Sequence, residues 1–379
     1  MSQHKKNQQR GFTLIEIMIG LVIGLILSLV IYNVLSTFEK QKRATTGSSD
    51  AQTNGAIALY NIQRDAQMAG FGLPVYGINT SPYNCPIATT IDHDYAAGTP
   101  AINLSPIVIT DGGAAGSDII SIHYGDTMSG GVAVSMLAGT ATNIAQVNTN
   151  VGCAVNDTTL VVQEIAGILS CNLTRVSALQ SIPDRITLAS TTNVAVGSDV
   201  ACLGTWNEVQ YAIVNISNST QLTRTGAIAL VAGVPTPNAT AVPIVPDIVN
   251  IQAQYGVSAT PASNVVSQWV DATGIWGATI TASNRNRIKA IHVAVIAKNG
   301  SLENSNVTSP CSSTILANPT GLCAWQGLPV LPVGGTITVA SPAPAIDLSA
   351  DANWKRYRYR VYDTIIPIRN IIWSWSTVK

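Results

Sequence analysis

Between Ile17 and Phe38 the chain carries no Asp, Glu, Lys or Arg, and this uncharged run limits what it can fold into more than any other feature. As a helix of roughly 22 residues rising about 1.5 Å each, it covers about 33 Å, enough to cross the hydrocarbon core of a bilayer. A polar, basic stretch, MSQHKKNQQR, precedes it and ends at Gly11. A secretory signal places its small cleavage residue after the apolar run. Here the small residue stands before it, so a cut at Gly11 keeps the helix and discards residues 1–11. Glu16 sits at the head of the run, where a carboxylate costs on the order of 3 kcal/mol if it reaches the bilayer centre. Lys5, Lys6 and Arg10 before the span are matched by Lys40, Lys42 and Arg43 after it, so basic-residue asymmetry leaves the orientation tied. Gly20 and Gly24 have the four-residue spacing that lets membrane helices approach closely.

Gly11-Phe12-Thr13-Leu14-Ile15-Glu16, followed by an unbroken apolar helix, resembles the class III signal of type IV pilins and type II secretion pseudopilins. The resemblance implies that a membrane-embedded prepilin peptidase cuts between Gly11 and Phe12 and methylates the new amine of Phe12. It also implies that Glu16 pairs with the N-terminal ammonium of a neighbouring subunit. The leader is then cytoplasmic, residues 12–38 cross the bacterial inner membrane once, and the rest is periplasmic before it joins an extracellular pilus.

Beyond Phe38 the sequence turns polar without a helix breaker. Ala51, Gly55, Ala58, Leu59, Ile62, Ala66 and Ala69 recur at spacings of three and four, which makes one apolar face. The spacing predicts one helix from about Phe12 to Ala69, roughly 85 Å long, with residues 39–70 as its amphipathic continuation packed on a globular domain. Gly70, Gly72 and Pro74 supply the stop. Residues 71–379 read as β-rich, with strand-prone runs at 107–109, 118–124, 159–162, 208–214, 288–297, 336–340 and 356–368. The proline-rich run 233–247 reads as an extended linker or crossover. The expected class is α+β, with a long N-terminal helix packed on an antiparallel sheet.

Twenty basic and twenty acidic residues cancel, so no global field favours a polyanion and nucleic acid is not an expected partner. Cys85, Cys153, Cys171, Cys202, Cys311 and Cys323 lie too far apart for zinc or redox pairs. An even count in an exported chain predicts disulfides. Six thiols allow about 15 connectivities, among which Cys311 with Cys323 is the local pairing.

Four passages are similar to the PilW family of minor pilins: Leu59 to Gly72, Gly116 to Tyr124, Arg287 to Ala297 and Arg356 to Asn370. This resemblance implies a structural subunit that primes pilus assembly on the inner-membrane platform and sits near the tip. Its implied partners are the peptidase, other minor and major pilins, and a large tip adhesin. Two other readings remain: a J-like pseudopilin of type II secretion, and a pilus-borne adhesin whose sheet domain binds a ligand.

No catalytic constellation stands out. His4, His93, His123 and His292 form no close ligand pair, and no nucleophile elbow or phosphate-binding loop is present. The expectation is a non-enzyme without metal or cofactor. Asp111 to Asp118 lacks the spacing of a calcium loop and reads as a turn, and Asp92-His93-Asp94 is a similarly weak metal candidate. Trp354 to Arg360 interleaves cations with aromatics, and strand alternation explains it: Arg356, Arg358 and Arg360 on a solvated face, Tyr357, Tyr359 and Val361 on a packed one.

Overall fold

The structure is a computed structural model that describes residues 12–73, 85, 104–113, 115–128, 131–141, 143–165, 168–189, 196–216, 219–226, 228–231, 234–237, 240–277, 280–312, 320–325 and 344–376. Gly11, His4, His93, Asp92, Asp94 and the run 336–340 lie outside them. The chain divides into two compact units, residues 1–50 and 51–379. The helix α1 (Leu14–Gln67) supplies the first unit and contributes its last residues to the second.

In the first unit the large apolar side chains from Phe12 to Phe38 are all exposed, Val34 least at 47% and Phe12 most at 85%. Apolar surface on this scale has no place in water; it needs lipid or a neighbouring helix. Two hydroxyls within it need neither, because Ser28 Oγ donates to Gly24 O and Thr37 Oγ1 to Asn33 O.

In the second unit Ala51, Ala58, Ile62, Ala66 and Ala69 are buried, each at 1% exposure or less. The four alanines and Ile62 share one buried cluster with residues of the strands. Gly70 and Gly72 adopt positive φ, 75° and 77°, which ends the helix at little steric cost. Gly70 N donates to His123 O and Asn370 Nδ2 to Ala69 O, so the turn is held from two sides.

The strands form three sheets and a barrel. β1 (Ile107–Thr110) and β2 (Ile119–Tyr124) begin a five-stranded sheet. A closed six-stranded barrel follows, made of β3 (Ala133–Ala141), β4 (Ile144–Val147), β5 (Thr158–Ile165), β6 (Ile168–Ser181), β7 (Asp184–Leu188) and β8 (Asp199–Gly204). The chain then returns to the first sheet with β9 (Asn207–Ile216) and β10 (Ser219–Gly226). A hairpin of β11 (Ile228–Val231) and β12 (Val234–Pro237) leads to β13 (Ala241–Pro246), which completes the order β1-β2-β9-β10-β13. The last sheet has β14 (Ile248–Ser258), β15 (Val266–Val270), β16 (Ile288–Lys298) and β17 (Tyr359–Pro367) in the order β15-β14-β16-β17. Short helices α2 (Ala282–Arg285) and α3 (Arg369–Ser376) flank β16 and β17 in sequence.

Within the run 233–247 the described residues are 234–237 and 240–247, and most of them are paired strand. β12 pairs with β11, and β13 pairs with β10 at the sheet edge. Proline is tolerated in such strands because an edge residue can lack an N–H donor without breaking a ladder.

β16 is buried from Ile288 to Ala297, and its alternation serves two cores. Ile291, Val293, Val295 and Ala297 enter the main core with Ile62 and Tyr255, while Ala294 and Ile296 pack with Leu322, Trp325 and Trp354. The barrel works the same way. Val161, Val176, Ile186 and Val200 fill its interior, while Leu160, Val162, Leu173 and Leu203 join the main core outside it. Disulfides link Cys85 to Cys171, Cys153 to Cys202 and Cys311 to Cys323. One of them is internal to the barrel region and another ties β6 to Cys85.

Candidate functional site

Thr13 and Glu16 form a reciprocal cap at the head of α1. Glu16 Oε2 accepts from both the backbone N–H and the hydroxyl of Thr13, each at 2.9 Å, and Glu16 N donates to Thr13 Oγ1 at 3.4 Å. This is the threonine-x-x-glutamate box that satisfies orphan donors of a first turn. The threonine-to-glutamate spacing that makes this cap is present in the sequence. Glu16 is thus held at the start of the helix, four residues from Phe12, with no contact to a distant part of its own chain among the described residues. Gly20 and Gly24 meet nothing within 4 Å of where a Cβ would stand, so both present open helix surface.

A second carboxylate lies near the other end of α1. Asp65 is 4% exposed and shares the helix face of Ala58, Ile62 and Ala69. Its Oδ2 accepts from Tyr211 Oη at 2.7 Å and Arg224 Nε at 2.8 Å; its Oδ1 faces Arg64 at 3.1 Å. Burial alone would push this carboxyl up, but Arg224, Tyr211 and Arg64 together hold it below its usual range. Burial and then Asp65 push the Tyr211 hydroxyl well up, so it stays a donor. Sequence reading passed over Asp65. Its signal was a lone acid on an otherwise apolar helix face.

The remaining expected residues hold structure. Asp111 caps the N–H of Gly113, and Asp118 accepts from Gly112 N at 2.9 Å and Ala253 N at 2.7 Å. Asp118 N also donates to Ile251 O, so the segment is a turn stitched to β14. Among the described residues no group of three or more His, Cys, Asp or Glu is placed to hold a metal. His123 is buried between Ser105 O and Glu208 and stacks on Trp206. His292 bonds Asp363 at 2.9 Å beside Trp325. The alternation expected from 356 begins later. Trp354–Arg356 is a 3-10 turn in which Arg356 Nε donates to Glu303 O, Arg358 pairs with Glu303 Oε1, and the strand starts at Tyr359. The turn removes Arg356 from the row because the chain must bend back towards Glu303.

Two family matches bear on this geometry. Residues 6–32 match the prokaryotic N-terminal methylation motif, and residues 210–370 match the family described as Type IV Pilus-assembly protein W. The first covers the Thr13–Glu16 cap, and the second runs from β9 through β17. No curated protein and no solved structure matches the chain.

Proposed function

Both matches support a PilW-type minor pilin of type IV pilus assembly, and from that premise we propose that the chain is a structural subunit that primes the filament and is incorporated near its tip. Residues 1–11 are the leader. The prepilin peptidase cuts between Gly11 and Phe12 and N-methylates Phe12. Residues 12–38 form the membrane and filament-core helix, residues 39–70 its amphipathic continuation, and residues 71–379 the exported, periplasmic domain. Glu16 pairs with the N-terminal amine of a neighbouring subunit, and Gly20 and Gly24 admit that neighbour's helix. Its partners are the peptidase, other pilins and the inner-membrane platform. Its role is structural and not enzymatic.

The observation that carries this reading is the head of α1: a wholly exposed apolar surface with one carboxylate, bonded only to its own cap, four residues from Phe12. Removing residues 1–11 creates an ammonium next to apolar surroundings, where a charge without a partner is costly. The disulfides fit export, since such bonds persist in oxidising compartments. The test is the mature N-terminus by mass spectrometry, with and without the peptidase. Methylated Phe12 in the first case and Met1 in the second are expected; a chain that keeps residues 1–11 in the presence of active peptidase ends the proposal.

A further inference from the structure

The barrel is built as an excursion from a closed ladder. β2 and β9 pair directly, from Ile120 opposite Tyr211 to Tyr124 opposite Asn207, so the chain leaves the first sheet and returns to it at neighbouring positions. Everything between is an insertion in that hairpin. The insertion closes on itself, because β3 pairs with β8 with Ala133 opposite Ala201. It has its own interior of Met136, Val147, Val161, Val176, Ile186 and Val200, and its own disulfide between Cys153 and Cys202. It also lies between the two matched segments, residues 6–32 and 210–370.

Resting on the pilin reading above, we propose that residues 126–205 are a removable module: the frame that builds the filament closes without them, and assembly does not use them. The energetics favour this. Aromatic side chains contribute heavily to cores, and residues 126–205 contain no Phe, Trp or Tyr. The buried Trp206, Tyr211, Tyr255 and Trp276 all stay with the frame. What excision uncovers is the patch that Leu160, Val162, Leu169, Leu173, Ala201 and Leu203 cover from outside the barrel, and it also removes the Cys85–Cys171 bond to the frame; both lower stability without opening the sheets. The two cut ends, Gly125 and Trp206, flank the Tyr124–Asn207 pair, a spacing that a two-residue Asn-Gly turn spans in a hairpin.

In the full-length chain, replacing residues 126–205 by Asn-Gly with Cys85→Ser is expected to leave a protein that unfolds cooperatively. It should restore piliation in a strain lacking its own copy as well as the complete chain does, once corrected for the several-fold drop in abundance that lower stability brings. A variant that cannot fold, or that folds and accumulates but restores no pili, overturns the proposal. A second measurement is independent of excision. In the complete chain with Cys153→Ser and Cys202→Ser, hydrogen exchange should quicken within 133–204 only; loss of protection spreading through β14, β16 and β17 overturns self-containment. If the complete chain itself restores no pili, the pilin reading fails, and the exchange experiment still decides whether the module is separate.

Discussion

The helix α1 carries one carboxylate near each end, and their surroundings are opposite. Glu16 has only Thr13 for company, in a helix half whose apolar side chains are all exposed. Asp65 is buried and bonded by Tyr211, Arg224 and Arg64. A carboxylate whose partners are all supplied by its own chain is spent on folding. One that is capped locally and otherwise unmet is available to another molecule. A carboxylate therefore stands once inside the folded domain and once on exposed helix surface.

The sharpest way to break this contrast is Glu16→Ala. If Glu16 pairs with a neighbour's N-terminal ammonium, its removal leaves that charge unpartnered in apolar surroundings, and incorporation should fall on the order of 100-fold. Pilus counts in a strain relying on this copy should fall by that order while the urea midpoint of the exported domain stays put. Normal pilus number would show that Glu16 is merely a helix cap.

Asp65→Ala should do the reverse. It leaves the Tyr211 hydroxyl with Asn61 O as its remaining acceptor and the partly exposed Arg224 guanidinium without its carboxylate, and breaking such a cluster costs about 2 kcal/mol after discounting Arg224 and Arg64 for their exposure to solvent. The folded carboxyl lies below its unfolded value, so its contribution is present above about pH 4 and lost as pH falls through the lowered value. Chemical unfolding from pH 3 to 7 reads both effects; a variant as stable as the parent at pH 7 would remove Asp65 from the account.

Asp118 sharpens the contrast with a third environment and the opposite sign. Burial, despite the Gly112 and Ala253 N–H groups and helped by Asp111 and Asp271, pushes its carboxyl up to about 6. The folded chain then holds this proton more tightly than the unfolded one. The stability it contributes is full below about pH 4 and lost as pH rises through about 6, roughly 3 kcal/mol. Urea midpoints of the parent should fall between pH 4.5 and 7 more steeply than those of Asp118→Asn, and parallel profiles would refute the assignment.

What could be read in advance follows the same division. The apolar span and the strands near 107–109, 118–124, 208–214 and 288–297 are local patterns of charge and alternation, and such patterns survive in a single sequence. Asp65 was hidden because Tyr211 and Arg224 lie 146 and 159 residues away. The barrel was hidden because its strands face two cores. Leu160-Val161-Val162 reads as one apolar run, yet Val161 points into the barrel while its neighbours point out. The strands in 233–247 were hidden because proline, which argues against a central strand, is harmless at an edge.

Two glycines carry the comparison down to a single methyl group. A Cβ on Gly55 would overlap the Tyr362 ring of β17, whereas one on Gly24 meets nothing within 4 Å. Gly55→Ala gains up to about 1 kcal/mol of helix propensity but overpacks a buried contact at about 1–3 kcal/mol. The net is a loss of about 1 kcal/mol in urea unfolding, because the partly buried Tyr362 ring can shift but must move off its position against the helix. Gly24→Ala pays no such cost within one chain, so the exported domain should unfold as the parent does. Any effect it has must come from a neighbouring helix, and would appear as fewer pili at equal protein level. If Gly55→Ala instead stabilises the domain, α1 does not press on Tyr362, and the end of the helix that contains Asp65 is looser than its hydrogen bonds imply.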